Sequence, residues 1–301
     1  RERFYYAHDG DLVSWMVKDI VVNSHPRLVG QLTSAPGVFI GPFFYYAVTP
    51  FYLATSLDPI GSVFFSIITG SVAFLSVYLI VYRLHGPRAA IVASLIYASS
   101  FLISQTEREV VPTSLAHLWT VWFYYGLNRL MQNQKSPLLL FAILFPLTWH
   151  VNLALILTAP LTVMGIFLKR SLFKVKDFMF PIIILVILSL PFVLFEVRHD
   201  YSQIRSLFIS STPQASSQSK LIAKVDRTLT LAYKNANRIF WETPSSVPTW
   251  VLPLGLISAL IYMHLARAVP NHYLPFILTW IFIFLTFFTL NSINLSEYYI
   301  N

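Results

Sequence analysis

The sequence predicts an all-α, polytopic transmembrane helical bundle with surface helices on its outer face, and three observations predict it. Hydrophobic residues make up 56% of the 301 residues and charged residues only 11%, with a mean hydropathy of +0.63, whereas a soluble domain carries about 25% charged residues. The apolar residues gather in successive runs that are long enough, or nearly so, to cross a bilayer. Basic residues sit in the short loops between those runs, so the formal charge of +8 fits anionic headgroups and membrane topology, and no nucleic acid is expected as a partner. The chain has no cysteine, which removes a disulfide framework and a Cys-ligated metal.

At the start of the chain, Tyr5-Tyr6-Ala7-His8-Asp9-Gly10-Asp11 leads into Leu12 to Ile20. Asp11 can cap a short amphipathic helix whose Leu12, Trp15, Met16 and Ile20 share one face, which leaves Asp9 free at its mouth. The plainer reading makes both aspartates turn and cap residues only. Gly41 to Leu57 is aromatic and interrupted by Pro50, and is better read as a surface helix than a span. Eight candidate spans follow: Pro59 to Tyr82, Ala89 to Ser104, Pro112 to Leu127, Pro137 to Trp149, Leu153 to Leu168, Phe178 to Phe195, Trp250 to Ala266 and Tyr273 to Leu290. Alternate connections carry Arg83 and Arg88, then Arg129 and Lys135, then Lys169, Arg170, Lys174 and Lys176, then Arg267. The positive-inside rule puts these on the cytoplasmic side.

The domain organisation follows. Residues 1–57 form a first outer loop with two surface helices, and 58–195 a six-span core. Residues 196–249 form a long outer loop with a basic amphipathic helix, and 250–301 two further spans with the start of the next outer loop. A membrane helix before Arg1 is expected, so the chain reads as a fragment that lacks its first membrane helix and its C-terminal part.

Two stretches carry more detail. Pro137 to Leu168 must cross twice, which leaves roughly 15 residues or about 22 Å per helix against a core of about 30 Å. The tip at Trp149-His150-Val151-Asn152 is therefore expected below the outer surface, covered by protein or water. A His150 bonded to a carbonyl is its plain reading, and an intramembrane functional histidine the sharper one. In the long outer loop, Glu196-Val197-Arg198-His199-Asp200 holds a charge cluster at the membrane surface, before a mobile serine-rich stretch from Ser210 to Ser217. Lys220, Lys224, Arg227, Lys234 and Arg238 then oppose Leu221, Ile222, Val225, Leu229, Ala232 and Phe240 on a helix suited to anionic lipid, where some cations could receive a lipid phosphate.

Charged groups thus converge on the outer side: Asp9, Asp11, Glu107, Arg108, Glu109, Glu196, Arg198 and His199. The spans carry almost no charge and no internal repeat is visible, which favours chemistry at the outer face over transport through the middle. Carboxylates with adjacent cations beside lipid suit transfer from a lipid phosphate to a hydroxyl acceptor.

This order of features resembles the GT-C glycosyltransferases, and within them the bacterial protein O-mannosyltransferase and aminoarabinose-transferase-like group. The features are a first-loop acidic residue, a short surface helix, Gly-Pro-x-x-Tyr-Tyr at Gly41 to Tyr46, and a helix ending in a basic turn. Leu190 to His199 and Leu295-Ser296-Glu297-Tyr298-Tyr299 also resemble segments of bacterial members. The resemblance implies a multi-pass enzyme of the plasma or inner membrane that moves a sugar from a polyprenyl-phosphate donor to a lipid, glycan or protein acceptor at the extracytoplasmic face. By the family pattern Asp9 matches the general base, worth about 10² to 10⁴ in rate. Glu107 or Glu109 matches the second-loop acid, and both stay candidates. Arg108, Arg198 and His150 are expected to hold the donor phosphate. Asp11, Tyr45, Tyr46, Glu196 and His199 complete the expected substrate-binding set. Asp9-Gly10-Asp11 is superficially a DXD metal motif, but basic side chains can meet a lipid phosphate, so no cofactor and no obligatory metal are expected. The alternative is a lipid-linked sugar flippase or other membrane transporter, and after it a non-catalytic scaffold. Both predict tolerance of an Asp9 substitution.

Overall fold

A backbone placed in hydrocarbon must satisfy its own hydrogen bonds, and the helix is the local way to do so. The computed structural model describes residues 8–33, 35–211, 218–239, 251–265 and 273–290. The expectations for Tyr5 to Ala7, for most of the serine-rich stretch, and for Leu295 to Tyr299 concern residues outside these. Among the described residues the regular elements are helices, with a single antiparallel bridge between Leu32 and Phe39. Two helices precede the first span, α1 (His8–Val22) and α2 (Phe43–Ala54). The next group is α3 (Ile60–His85), α4 (Pro87–Ser99), α5 (Phe101–Arg108), α6 (Ala116–Met131), α7 (Pro137–Val151), α8 (Ala159–Leu168) and α9 (Lys176–Arg198). Then come α10 (Ser202–Ser211), α11 (Gln218–Arg238), α12 (Val251–Leu265) and α13 (Tyr273–Leu290).

Each predicted span carries a helix, but the helices differ in reach. Among the described residues α3 and α9 are long and apolar enough to cross a membrane alone, and both leave isoleucines and leucines exposed along their length. The run from Ala89 to Ser104 is not continuous: α4 and α5 meet at a bend of 63° and qualify only together. Ser100 makes the break, with extended backbone at φ −69°, ψ 119° and a side-chain oxygen that accepts from the Ile103 amide to cap α5. α5 then runs beside α3, where Gly70 leaves space for the Glu107 carboxylate; a Cβ there would stand 3.1 Å from its Oε2.

The short hairpin of α7 and α8 is joined by a 3-10 turn over Leu153–Thr158, with Asn152 capping the Ala154 amide. Its tip is covered, as its shortness demands, by residues 39–43. The Gly41 amide donates to the Trp149 carbonyl at 2.8 Å and the Trp149 indole to the Phe39 carbonyl at 2.8 Å. His150 accepts the Phe43 amide through Nδ1 at 3.2 Å, which differs from the expected bond to a carbonyl. Gly41 is obligatory at this junction, because a Cβ would lie 2.2 Å from that same nitrogen.

The first helix departs from expectation in two ways. It begins at His8, so Asp9 and Asp11 both stand in its first turn and Asp11 is not its cap. Carboxylates there face the positive end of the helix dipole. The buried face is Val13 and Val17, flanked by Met16, Ile20 and Val21, while Trp15 is 66% exposed with the Lys18 ammonium 5.1 Å above its ring. Both faces satisfy a period of 3.6, and packing decides between them. α2 fills its own inner face with the bulky Phe44, Tyr45, Val48 and Tyr52, all fully buried, so the partner face across it must be short and branched. Ser14 and Tyr52 share a hydroxyl hydrogen bond of 2.7 Å across this contact.

α2 is accordingly not a surface helix alone, but a wedge between α1 and α3. Phe65, Val110, Leu115 and Val151 complete that core. A second core gathers Trp119, Phe123, Leu130, Phe141, Leu144, Leu161 and Phe276 from α6, α7, α8 and α13. α11 packs on α13, α12 and α5 while Ile222 and Leu229 of its predicted apolar face stay exposed.

Candidate active site

The candidate site draws on α1, α5 and α11: α11 packs on α5, and Asp9 of α1 lies within electrostatic reach of the end of α5. Asp9 is exposed in the first turn of α1, and that helix is anchored at its other end. There Asp19 accepts from Asn23 at 2.9 Å and from Arg27 at 2.7 and 3.1 Å, with His25 at 3.0 Å. The Asn23 hydrogen bond first, then Arg27, holds the Asp19 carboxyl down at about 2. Tyr45 lies beneath, its hydroxyl accepting the Gln31 amide at 3.1 Å and donating to the Gln31 side chain at 3.3 Å. Burial pushes the Tyr45 hydroxyl up to about 12, and the negative charge of Asp9 adds to the rise.

Glu107 and Glu109 are two residues apart and face different neighbours. Glu109 is the residue that ends α5, with extended backbone at φ −74°, ψ 130°. Burial raises its carboxyl above the ordinary glutamate value; Asp9 raises it further and Arg238 opposes. Asp9, Glu109 and Arg238 are therefore within electrostatic reach of one another. Arg238 is steadied by a hydrogen bond of 2.7 Å from its Nη2 to Gln105 Oε1. Glu107 instead turns toward α3 and α4, where the Tyr97 hydroxyl donates to its Oε1 at 2.5 Å. It lines a groove of about 670 Å³ with Ile67, Gly70, Phe74, Tyr97 and Arg108. Apolar walls and a polar end containing one carboxylate and one guanidinium suit an amphiphile.

The remaining predicted residues stand elsewhere. Asp11 and Arg198 are exposed. Tyr46 accepts the Arg27 amide at 2.8 Å and donates to the Arg27 carbonyl at 3.0 Å. Tyr45, His150 and Glu196 are buried in the fold, and His150, accepting through Nδ1, carries its proton on Nε2. Glu196 is 2% exposed and its Oε2 accepts the Ile204 amide at 3.2 Å. His199 stacks on Phe195 at 4.0 Å between ring centres, with Nδ1 2.8 Å from the Phe195 carbonyl. Among the described residues no three His, Asp or Glu side chains converge as a metal cluster.

Sequence reasoning placed Arg238 only on a basic helix face and missed its approach to Glu109. Its signal was present, as the cation that ends an amphipathic helix in the outer loop. Tyr97 carried no signal, because a tyrosine within an apolar run is ordinary until the chain bends back at Ser100.

The structure is an all-helical bundle with helices able to span a membrane and with acidic groups of α1 and α5 near one another, and it is consistent with a membrane glycosyltransferase of the GT-C type. Residues 40–195 match the dolichyl-phosphate-mannose-protein mannosyltransferase family, over half of the chain, and the chain belongs to that family. It is a membrane glycosyltransferase that uses a lipid-linked sugar. No individually curated protein and no solved structure matches it.

Proposed function

We propose that this enzyme transfers a sugar from a polyprenyl-phosphate donor to a hydroxyl acceptor at the extracytoplasmic face of the cell membrane, with inversion and with Asp9 as general base. The observation that carries the reading is that Asp9, in the first turn of α1, and Glu109, at the end of α5, lie within electrostatic reach of one another and of Arg238. The Asp9 carboxylate takes the proton of the acceptor hydroxyl as that oxygen bonds to the anomeric carbon. The bond from the anomeric carbon to the phosphate oxygen breaks, and its electron pair leaves with the polyprenyl phosphate. One displacement inverts the anomeric centre. Glu109 accepts a hydroxyl of the sugar or the acceptor. Arg238 and Arg108 meet the leaving phosphate, where charge-assisted bonds strengthen as negative charge develops, and no obligatory metal is part of the scheme. The basic loops, Arg83 to Arg88, Arg129 to Lys135 and Lys169 to Lys176, support this face through the positive-inside rule.

The test uses the protein in membranes with a panel of radiolabelled polyprenyl-phosphate sugars, comparing wild type with Asp9→Asn. Release of polyprenyl phosphate with label joined to an acceptor, lost in Asp9→Asn while the protein stays folded, is the expected result. Label that crosses the bilayer with its phosphate bond intact overturns the proposal in favour of a flippase.

A further inference from the structure

At the junction of α9 and α10 stands a buried polar cluster that the chemistry above does not use. The turn between α9 and α10 contains two consecutive non-glycine residues in the left-handed region, Asp200 at φ 52° and Tyr201 at φ 59°. Glu196, in the last turn of α9, folds back across that turn and gives Oε2 to the Ile204 amide, an otherwise unpaired donor in the first turn of α10. Its carboxyl group also sits at the positive end of that helix. Gln203, on the same first turn, is fully buried and gives its Oε1 to the Phe39 amide at 2.7 Å, across 164 residues of sequence. The second polar atom of each side chain, Glu196 Oε1 and Gln203 Nε2, is buried without a hydrogen-bond partner. Strained backbone and half-satisfied buried polar groups cost stability, and they persist where position matters more than stability.

What Gln203 holds is the base of the acid-bearing unit. Phe39 lies on a small hairpin closed by Gly30 N to Ile40 O at 2.7 Å and Ile40 N to Gln31 O at 3.0 Å. Gln31 bonds the Tyr45 hydroxyl, which ties the hairpin to α2. α2 shares its core with Val13 and Val17 of α1, the helix that carries Asp9. The Phe39 carbonyl is already taken by the Trp149 indole. Phe39 is thus held through its carbonyl by α7 and through its amide by α10.

We infer that Gln203, with Glu196 as the cap that fixes its helix, is a positioning residue for the α1–α2 unit, setting where Asp9 stands relative to the bundle. Glu196 then acts through the fold, not by touching substrate. The inference rests on reading Asp9 as the base, but its main test does not.

Because the chain has no cysteine, spin labels can be placed singly. Trp15→Cys on α1 and Ile209→Cys on α10, both well exposed, give a distance by electron–electron resonance in the full chain in nanodiscs. Leu79→Cys on α3 and Met179→Cys on α9 give a control pair. Gln203→Leu is expected to broaden the Trp15–Ile209 distribution and leave the control pair sharp. The exchange Glu196→Gln with Gln203→Glu keeps an oxygen acceptor at each place and is expected to restore it. Should Gln203→Leu fail to fold, Gln203→Asn, one methylene too short to reach Phe39, replaces it and must broaden the same pair. An unchanged distribution, broadening of both pairs alike, or no restoration by the exchange overturns the inference. With a donor found active above, Gln203→Leu should lower kcat by about tenfold or more and leave KM within about twofold, since a misplaced base slows the chemical step. A fall in activity of Asp9→Asn bears on the base alone, so the two ideas fail separately.

Discussion

Both ends of the bundle hold charged pairs, Asp19 with Arg27 at one and Lys135 with Asp177 at the other, and they differ in what stands beside those pairs. At the end formed by the α6–α7 and α8–α9 turns, charges find partners: Lys135 Nζ meets Asp177 Oδ2 at 2.7 Å and Lys169 Nζ donates to Asn133 Oδ1 at 2.8 Å. Arg129 lies 5.9 Å from the Tyr125 ring centre and donates to Gln132. At the other end Asp9 and Glu109 are like charges within electrostatic reach, and Glu109 is raised by burial and by Asp9. A surface that needs only to be solvated settles into pairs. Gathering two carboxylates costs electrostatic energy, and such arrangements cluster at functional sites.

The comparison breaks first, and by most, at Asp9. Asp9→Asn removes the charge without altering size, and transferase activity should fall by about 10² to 10⁴ with unfolding temperature unchanged or slightly higher. Radiolabel transfer and a thermal melt on the same preparation check both halves. A variant with wild-type activity would make the acidic end as structural as the basic one.

Next in size is the support beneath that end. Gly41→Ala forces a Cβ to within 2.2 Å of His150 Nδ1, and overpacking of this kind costs about 1–3 kcal/mol. The expected result is a clear drop in unfolding temperature with loss of activity. The pair Gly41→Ala with His150→Ala should recover part of the stability by removing the overlap, but not all, because the Phe43 amide loses its acceptor.

How far the sequence alone reaches can be read from these same residues. Segment type and order were legible, because apolar runs of 13 to 24 residues separated by basic turns leave few alternatives. Asp9 and the glutamates of the second loop stood out as candidates because charge is rare in this chain. The rotation of α1 was not, since Leu12-Trp15 and Val13-Val17 fit one period equally and only the bulk of Tyr45 and Tyr52 across the contact chooses. The split between Glu107 and Glu109 was not legible either. It depends on where α5 stops: Glu107 is still in the helix, beside Tyr97, while Glu109 is already in extended backbone. His150 and Glu196 were noticed for their polarity, and burial gives them amides of the fold as partners.

A third effect, smaller and of opposite sign in two measurements, separates function from stability at Glu109. Its carboxyl is raised in the fold, by burial first and by Asp9 second. A carboxyl with a folded value above its unfolded one contributes stability below the unfolded value and loses it as pH rises through the folded one. Glu109→Gln should therefore melt about 1–2 °C higher than wild type at neutral pH, with the gain vanishing below the ordinary glutamate value of 4.5. Activity should fall about tenfold in the same variant. Melts across pH 4 to 8 decide the first part; a lower melting temperature at neutral pH would mean that Arg238 outweighs Asp9.

The smallest effect belongs to the basic end. Lys135→Ala breaks the contact with Asp177, whose Oδ2 keeps the Lys174 amide at 2.8 Å. The Lys135 side chain is 42% exposed, and exposed pairs of this sort contribute about 0.2–1 kcal/mol. Transfer activity should stay within about twofold of wild type, because the proposed site lies elsewhere and α7 and α9 pack on each other along their length rather than through this bond alone. Raising the salt concentration should erase even the small stability loss, by screening the pair in the wild type. A large activity loss in Lys135→Ala would show that a strain at one end is carried through α7 to His150 and α2, and the two ends would then have to be treated as one device.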